Sequence, residues 1–367
     1  MVEFGGITAF LFPLLWMGAL LSFILFQQQI QIWRSIAEIG KSLRKLESFK
    51  TEGRKKALDY VTGMSKAGVD VGPKLDKFLD YFTIMPVSLD PKGVVSKIEH
   101  VMNLSDDRLK RELEIFSGNK DPVKISIANN VIQAANALNM IYKIVRHFYL
   151  LGKRTKNVYL MIQLQMIMPM IMEISEAFSK AVDALQQMQP IGDSIGPMIV
   201  GKMRLGKEKS IVAKETMMAQ TEMMGRMIYL LKAEGPGGSV GEIGTAIHNL
   251  IEDSIKTKKA CTVVMIDAAL KLEGEGTGDV AEGIGAAIGG IGVDRYKIEE
   301  VASKFKIPLY AIIIKQSMAE ALSVMKKEIA DSVDKASLLI KRVVDEKTKK
   351  GDSIIIVGVG NTIGVSQ

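Results

Sequence analysis

Eight glycines fall between positions 274 and 292, directly after an apolar β-branched run that ends in one carboxylate, Asp267. The stretch 261–292, CTVVMIDAALKLEGEGTGDVAEGIGAAIGGIG, reads as a strand that delivers Asp267 and then dissolves into loop. Each glycine in a packed element costs about 0.5–1 kcal/mol relative to alanine. So dense a run implies that the backbone itself must come close to something.

The same half of the chain holds further β-branched runs at 226–232, 308–315 and 353–359, with a weaker one at 210–213. Helical patterns lie between them at 243–256, 296–305 and 318–347. This alternation predicts an α/β domain over 190–367 with a mainly parallel sheet covered on both faces. Polar and glycine residues gather where the strands end. Lys232 is followed by Gly235, Gly237 and Gly238, Ile314 by Lys315, and Val359 by Gly360 and Asn361. Open α/β sheets bind ligands outside the carboxyl ends of their strands. These six residues, Gly235, Gly237, Gly238, Gly360, Asn361 and Lys315, are therefore the expected ligand contacts.

Several chemistries are excluded by spacing. Gly358-Val-Gly360-Asn-Thr-Ile-Gly364 has one residue too many for a dinucleotide turn and no helical pattern behind it, and Gly283 to Gly289 shares the spacing fault. Neither GxxxxGK[ST] nor GxSxG occurs. One cysteine and three histidines without ligand spacing argue against structural zinc. Cys261 reads as a small buried apolar side chain, and His248 as a surface or packed helix residue.

The N-terminal half is organised differently. Residues 7–26 carry no charge, a length that crosses a hydrocarbon core. Arg34, Lys41, Arg44, Lys45, Lys50, Arg54, Lys55 and Lys56 follow, against four acids up to Tyr60. Cations on that side predict a single-pass anchor over 1–27, with the N-terminus outside and the bulk of the chain in the cytoplasm. A basic stripe can bind nucleic acid, but its place after an apolar segment makes the anionic membrane surface the expected partner. Residues 28–62 read as an amphipathic basic stalk helix, through which a homo-oligomer can form. Residues 63–189 read as a helical region, broken at 68–73, 85–86 and 90–91, with helix starts at 104–107 and at Asp121-Pro122. The apolar stretch 158–174 is interrupted by Gln163, Gln165 and Pro169. It reads as a buried Met-rich helix or partner groove, the alternative being a second membrane segment. Residues 60–190 show no catalytic pattern.

Two resemblances add to this reading. FQQQIQIW, AEGPGGSVG and the ending IIIVGVGN look like an archaeal family of unknown function, over the whole chain. Over about 190–361, the segment AEGPGGSVGEIGTAIHNLIEDSIKTKKACTVVMIDAALKLE resembles the turn–helix–strand–Asp segment of the spore germination protease. More distantly it is similar to the hydrogenase maturation proteases, of phosphorylase/hydrolase-like fold. Those families open this domain with a strand ending Gly-x-Gly-Asn, followed by an acid before Gly-Pro. Here Gly358-Val-Gly360-Asn361 closes the chain and Gly192-Asp193-Ser-Ile-Gly196-Pro197 precedes it, so the resemblance implies a circular permutation.

It also implies that Asp193 and Asp267 are the two acidic site residues of a hydrolase, peptidase-like in character. Facing carboxylates can share a proton and activate water, or hold a divalent metal. The histidine that completes the metal set in the maturation proteases has no match in this sequence. Two simpler roles stand beside this one: Asp193 as a cap on a helix beginning near Ile195, and Asp267 as an acceptor for loop amides. Lys315 and Arg295 are the nearest candidates for an anionic group. A non-catalytic sensor or scaffold binding a small anion or nucleotide at the membrane, and a purely structural oligomer, are the competing readings.

Overall fold

The computed structural model of the chain describes residues 5–66, 68–80, 93–256, 260–290 and 292–366. The expected breaks at 85–86 and 90–91 lie outside the described residues. Up to residue 186 the described chain is helical: α1 (Gly5–Met64), α2 (Gly72–Leu79), α3 (Val94–Ser117), α4 (Pro122–Thr155) and α5 (Val158–Gln186). A mixed α/β domain follows. Two compact units result, one from residues 1–51 and 138–175, the other from 52–137 and 176–367.

In the first unit, Ile39 and Leu46 of α1 meet Tyr142 and Val145 of α4 and Met161, Leu164 and Met168 of α5. These recur three, four or seven residues apart, so each helix offers one apolar stripe. The polar Gln165 is satisfied inside the unit, accepting a 2.6 Å hydrogen bond from the Ser35 hydroxyl. Much of the remaining apolar surface faces outward. Phe12, Leu15, Trp16, Phe23 and Phe26 are exposed on α1, and Tyr159, Met166 and Met170 on α5. Val158–Gln186 is long and apolar enough to cross a membrane, by length and composition, and only 22% of its apolar window is buried. Of the stretch 158–174, read as a buried Met-rich helix or partner groove, one stripe of Met161, Leu164 and Met168 packs, while Tyr159, Met166 and Met170 are open. On α1 the apolar stretch among the described side chains is Phe12–Phe23, shorter than a span.

The second unit starts with a helical layer in which Val61 of α1, Leu75 of α2, Leu113 of α3, Val131 of α4 and Val182 of α5 are buried together with Ile363. α3 begins ten residues ahead of its expected start. The acids taken for a cap sit inside the helix, where Asp106 accepts from the Asn129 amide at 2.9 Å and pairs with Lys110 at 2.9 Å.

The sheet contains β1 (Lys209–Ala213), β2 (Thr216–Met223), β3 (Arg226–Ala233), β4 (Cys261–Leu270), β5 (Val280–Ile284), β6 (Leu309–Gln316) and β7 (Ser353–Gly358). Their spatial order is β1-β2-β3-β7-β4-β6-β5. The four central strands run parallel, while β1–β2, β2–β3 and β5–β6 pair antiparallel. The sheet is therefore mixed, not mainly parallel. Two strands outside the parallel centre escape a β-branched pattern: β2 is methionine-rich, and β5, at one edge, lies inside the glycine run. A two-residue turn joins β2 to β3, with φ of 53° at Met224 and 73° at Gly225, the left-handed pair that closes a tight hairpin.

Helices α6 (Ile195–Arg204) and α10 (Lys327–Lys347) cover one face, over Ile228, Leu230, Ile266, Ile314 and Ile356. α7 (Ile243–Lys256) and α8 (Val293–Phe305) cover the other, over Leu231, Val263, Met265 and Val357. Burial on both faces is why the central strands read as unbroken apolar runs. The helix expected over 318–347 is two: α9 (Met318–Leu322) opens with a Ser317–Glu320 capping box and stops before Ser323, ahead of α10.

Candidate functional site

Asp267 sits in β4 one residue beyond Ile266, which is level with Gly358 at the end of β7. Asp193 lies in a 3-10 turn, Gly192–Ser194, that leads into α6. Three backbones meet there at distances only glycine permits. A Cβ on Gly196 would stand 2.5 Å from the Ile266 carbonyl oxygen and 2.3 Å from that of Val359. A Cβ on Gly360 would stand 2.0 Å from the Asp193 carbonyl oxygen. These approaches bring Asn361 to Asp193, and the Asn361 amide donates to Oδ2 of Asp193 at 2.7 Å. Two segments 168 residues apart in sequence thus form one loop cluster. No side-chain hydrogen bond from this turn caps α6.

Asp267 is 8% exposed. Its Oδ1 accepts from the Ala268 amide at 2.7 Å, and the Gly289 amide also bonds the carboxylate. The glycine run therefore folds back onto the acid that precedes it, and loop amides do meet Asp267. Burial, followed by the negative charge of Asp193, pushes the Asp267 carboxyl up to about 8. Burial also raises Asp193, against the opposing Asn361 amide bond. Residue 193 is partly open to solvent, but its carboxyl end is enclosed by protein. Both acids thus resist ionisation, and Asp267 also feels the negative charge of Asp193.

Two further polar groups lie at the turn that carries Asp193. The Ser194 hydroxyl and both amide atoms of Gln316 are buried without a hydrogen-bond partner among the described residues. Gln316 Oε1 lies 2.6 Å from where a Cβ on Gly192 would stand. Sequence reading missed both. Gln316 was legible only as one of the polar residues at the end of β6, and Ser194 carried no signal.

The expected ligand contacts do not form one group. Asn361 and Gly238 line a cavity of about 610 Å³, whose other walls include Asn129 and Asn130 of α4, Lys110 of α3 and Glu215. Gly237 and Gly238 approach α4 instead of leaving open backbone: the Asn130 amide donates to both carbonyls, at 3.3 and 3.0 Å. Gly235 is set against the Val365 carbonyl, 2.0 Å from where its Cβ would be. Lys315 lies elsewhere, ion-paired with Glu275, and Arg295 pairs with Glu299 at 2.9 Å. Residues 78–136, which showed no catalytic pattern, supply much of the cavity wall. Asn361 joins the two features, with its side chain on the cavity and its backbone amide on Asp193. Among the described residues, no cluster of three or more His, Cys, Asp or Glu is placed to hold a metal ion.

In the first unit a second cavity, of about 530 Å³, is lined by Lys50, Lys143, Arg146, His147 and Arg154, with Tyr142, Leu150 and Leu151. No acid lines it.

Two family models cover the chain. Residues 13–188 match the N-terminal domain of the protein of unknown function DUF1512, and residues 191–366 match the DUF1512 C-terminal domain. The chain belongs to the DUF1512 family. No curated protein and no solved structure matches it. Asp193, Asp267 and Asn361 all fall in the DUF1512 C-terminal domain, whereas the large cavity draws walls from both matched regions.

Proposed function

We propose that the chain is a membrane-anchored hydrolase, peptidase-like in character, in which Asp193 and Asp267 share a proton and activate water. The observation that carries this reading is the pair itself: two enclosed acids, both raised, fixed by backbones that only glycine lets approach so closely. In the singly protonated state one carboxylate takes a proton from water while the other carboxylic acid donates to the leaving group. The cavity beyond Asn361 is the proposed substrate cleft. A circularly permuted protease-like domain agrees with the contact between Asn361 and Asp193 across the chain.

The full chain in detergent, given a mixture of fluorogenic peptides between pH 5 and pH 10, tests this. Turnover is expected to be bell-shaped, with the upper limb near pH 8, where the pair loses its shared proton. Absence of cleavage at every pH, or cleavage that survives Asp193→Asn, removes the proposal.

A second reading rests on the cavity alone. Its walls bring Asn129, Asn130, Lys110 and Glu215 together, which favours non-catalytic recognition of a small polar ligand. Stabilisation by such a ligand, unchanged by Asp267→Asn, would favour this sensor or scaffold role.

Membrane attachment is part of the same proposal. It is supported by the exposed apolar faces of α1 and α5 and by the acid-free basic cavity, which suits anionic headgroups. The proposed topology places the N-terminus outside and the α/β domain in the cytoplasm. The chain is expected to stay with membranes through an alkaline carbonate wash. In intact cells, externally added protease should leave everything after Gln27 uncut. Release by carbonate would refute the anchor, and external cleavage of the α/β domain would refute the orientation.

A further inference from the structure

At the far end of α6 from Asp193 lies a second buried charge cluster, of opposite sign. α6 has ten residues, roughly 15 Å of helix, and Arg204 closes it. Lys232 is the penultimate residue of β3. It shares a strand face with Ile228 and Leu230, the face that α6 covers. Its Cε is 3.8 Å from where a Cβ on Gly201 would stand, one helical turn before Arg204. Arg204 is 1% exposed and Lys232 is 0% exposed. Nε, Nη1 and Nη2 of Arg204 are all buried and meet no acceptor among the described residues. The Lys232 ammonium donates to the Ala233 carbonyl at 3.1 Å.

A guanidinium carries five N–H donors and cannot shed its charge as a lysine can. Burying it without an acceptor, beside a second cation, is among the costliest arrangements a fold can hold. The proximity is felt electrostatically: burial, then the charges of Arg204 and Lys209, bring Lys232 down to about 7, with Glu234 opposing. Buried polar groups in folded proteins find partners. Here the missing partner must be negative, compact and able to accept several hydrogen bonds at once.

We propose that Arg204 and Lys232 together bind a small tetrahedral oxyanion of the phosphate or sulfate class, enclosed between α6 and β3. The planar fork of Arg204 suits two oxygens of such an ion, and two cations match its double charge. Gly201 keeps the α6 surface low beside the lysine stem. The site is separate from the carboxylate pair, whose negative charge would repel the same ion.

The test uses the full chain, exchanged into chloride buffer and then denatured, with the released anions measured by ion chromatography. About one phosphate or sulfate per chain is expected if exchange is slow. If exchange is fast, inorganic phosphate should raise the Tm by about 5 °C at a hundredfold excess over its Kd, relative to chloride at equal ionic strength. The Arg204→Met/Lys232→Met double variant should retain no anion and show no phosphate-specific shift. Should that variant not fold, Lys232→Met alone makes the comparison. A wild-type chain that is both anion-free and insensitive to phosphate overturns the proposal. So does an undiminished shift in the variant, which would place the ion elsewhere.

Discussion

Asp267→Asn is expected to stabilise the α/β domain above pH 8 while abolishing the hydrolysis proposed for it. The unfolded chain ionises this carboxyl near its ordinary 3.8, whereas the native protein holds it protonated up to about 8. The native state therefore binds more protons than the unfolded one between those values, and stability falls as pH rises through them. At about 1.4 kcal/mol for each pH unit between the two values, the full cost is on the order of 5 kcal/mol above pH 8. It is absent below pH 4. Asparagine keeps an oxygen for the Ala268 and Gly289 amides but has no charge to lose. Denaturant melts at pH 5 and pH 9 should thus show a steep loss in the wild type and a much flatter response in the variant. Hydrolysis should fall about 10³-fold or more, because one half of the proton exchange is gone. Equal pH slopes in the two proteins would mean that Asp267 ionises normally, and the shared-proton reading would go with it. Greater stability bought with lost activity marks a functional group, since a purely structural residue has no reason to be kept strained.

How much of this was legible in the sequence depended on what each residue answers to. β3, β4, β6 and β7 were readable because their middles are buried on both faces, so each carries a continuous apolar run. β2 was not, because Thr216-Met-Met-Ala-Gln-Thr-Glu-Met pairs at the sheet margin and takes its place from the Met224-Gly225 turn. β5 was hidden because Gly283 breaks its pattern, while main-chain pairing with β6 holds it. The sheet accordingly gained antiparallel margins that alternation alone does not predict. The carboxylate pair was visible only through resemblance: no spacing rule relates Asp193 to Asn361. The large cavity was invisible for another reason. Its walls come from α2, α3, α4, the start of α8 and three separate turns, far apart in sequence. The glycines at 235, 237 and 238 were singled out as ligand contacts, and in the fold they lie against the protein's own backbone and α4.

Two other glycines, Gly360 and Gly289, stand beside the carboxylates and permit the sharpest structural prediction, because they should respond very differently. Gly360 has φ of 124°, and a Cβ there would meet the Asp193 carbonyl oxygen at 2.0 Å and its Oδ2 at 3.3 Å. Alanine adds strain in a region that L side chains rarely adopt, and a clash with backbone that cannot swing aside. Gly360→Ala should therefore cost roughly 4 kcal/mol or more, separate Asn361 from Asp193, and return the Asp267 carboxyl toward ordinary behaviour. Gly289, whose amide bonds Asp267, has no left-handed φ and nothing within 4 Å of a built Cβ. Gly289→Ala should leave stability within about 0.5 kcal/mol of the wild type, or raise it slightly by restricting the unfolded chain. Denaturant midpoints of the two variants decide the matter. Similar small effects would mean that the loop cluster is slack, and a slack cluster cannot hold two acids close enough to share a proton. A large loss confined to Gly360→Ala would mean that the approach of β7 to the turn before α6 is what keeps the pair together, and that glycine is used here for closeness, not for flexibility.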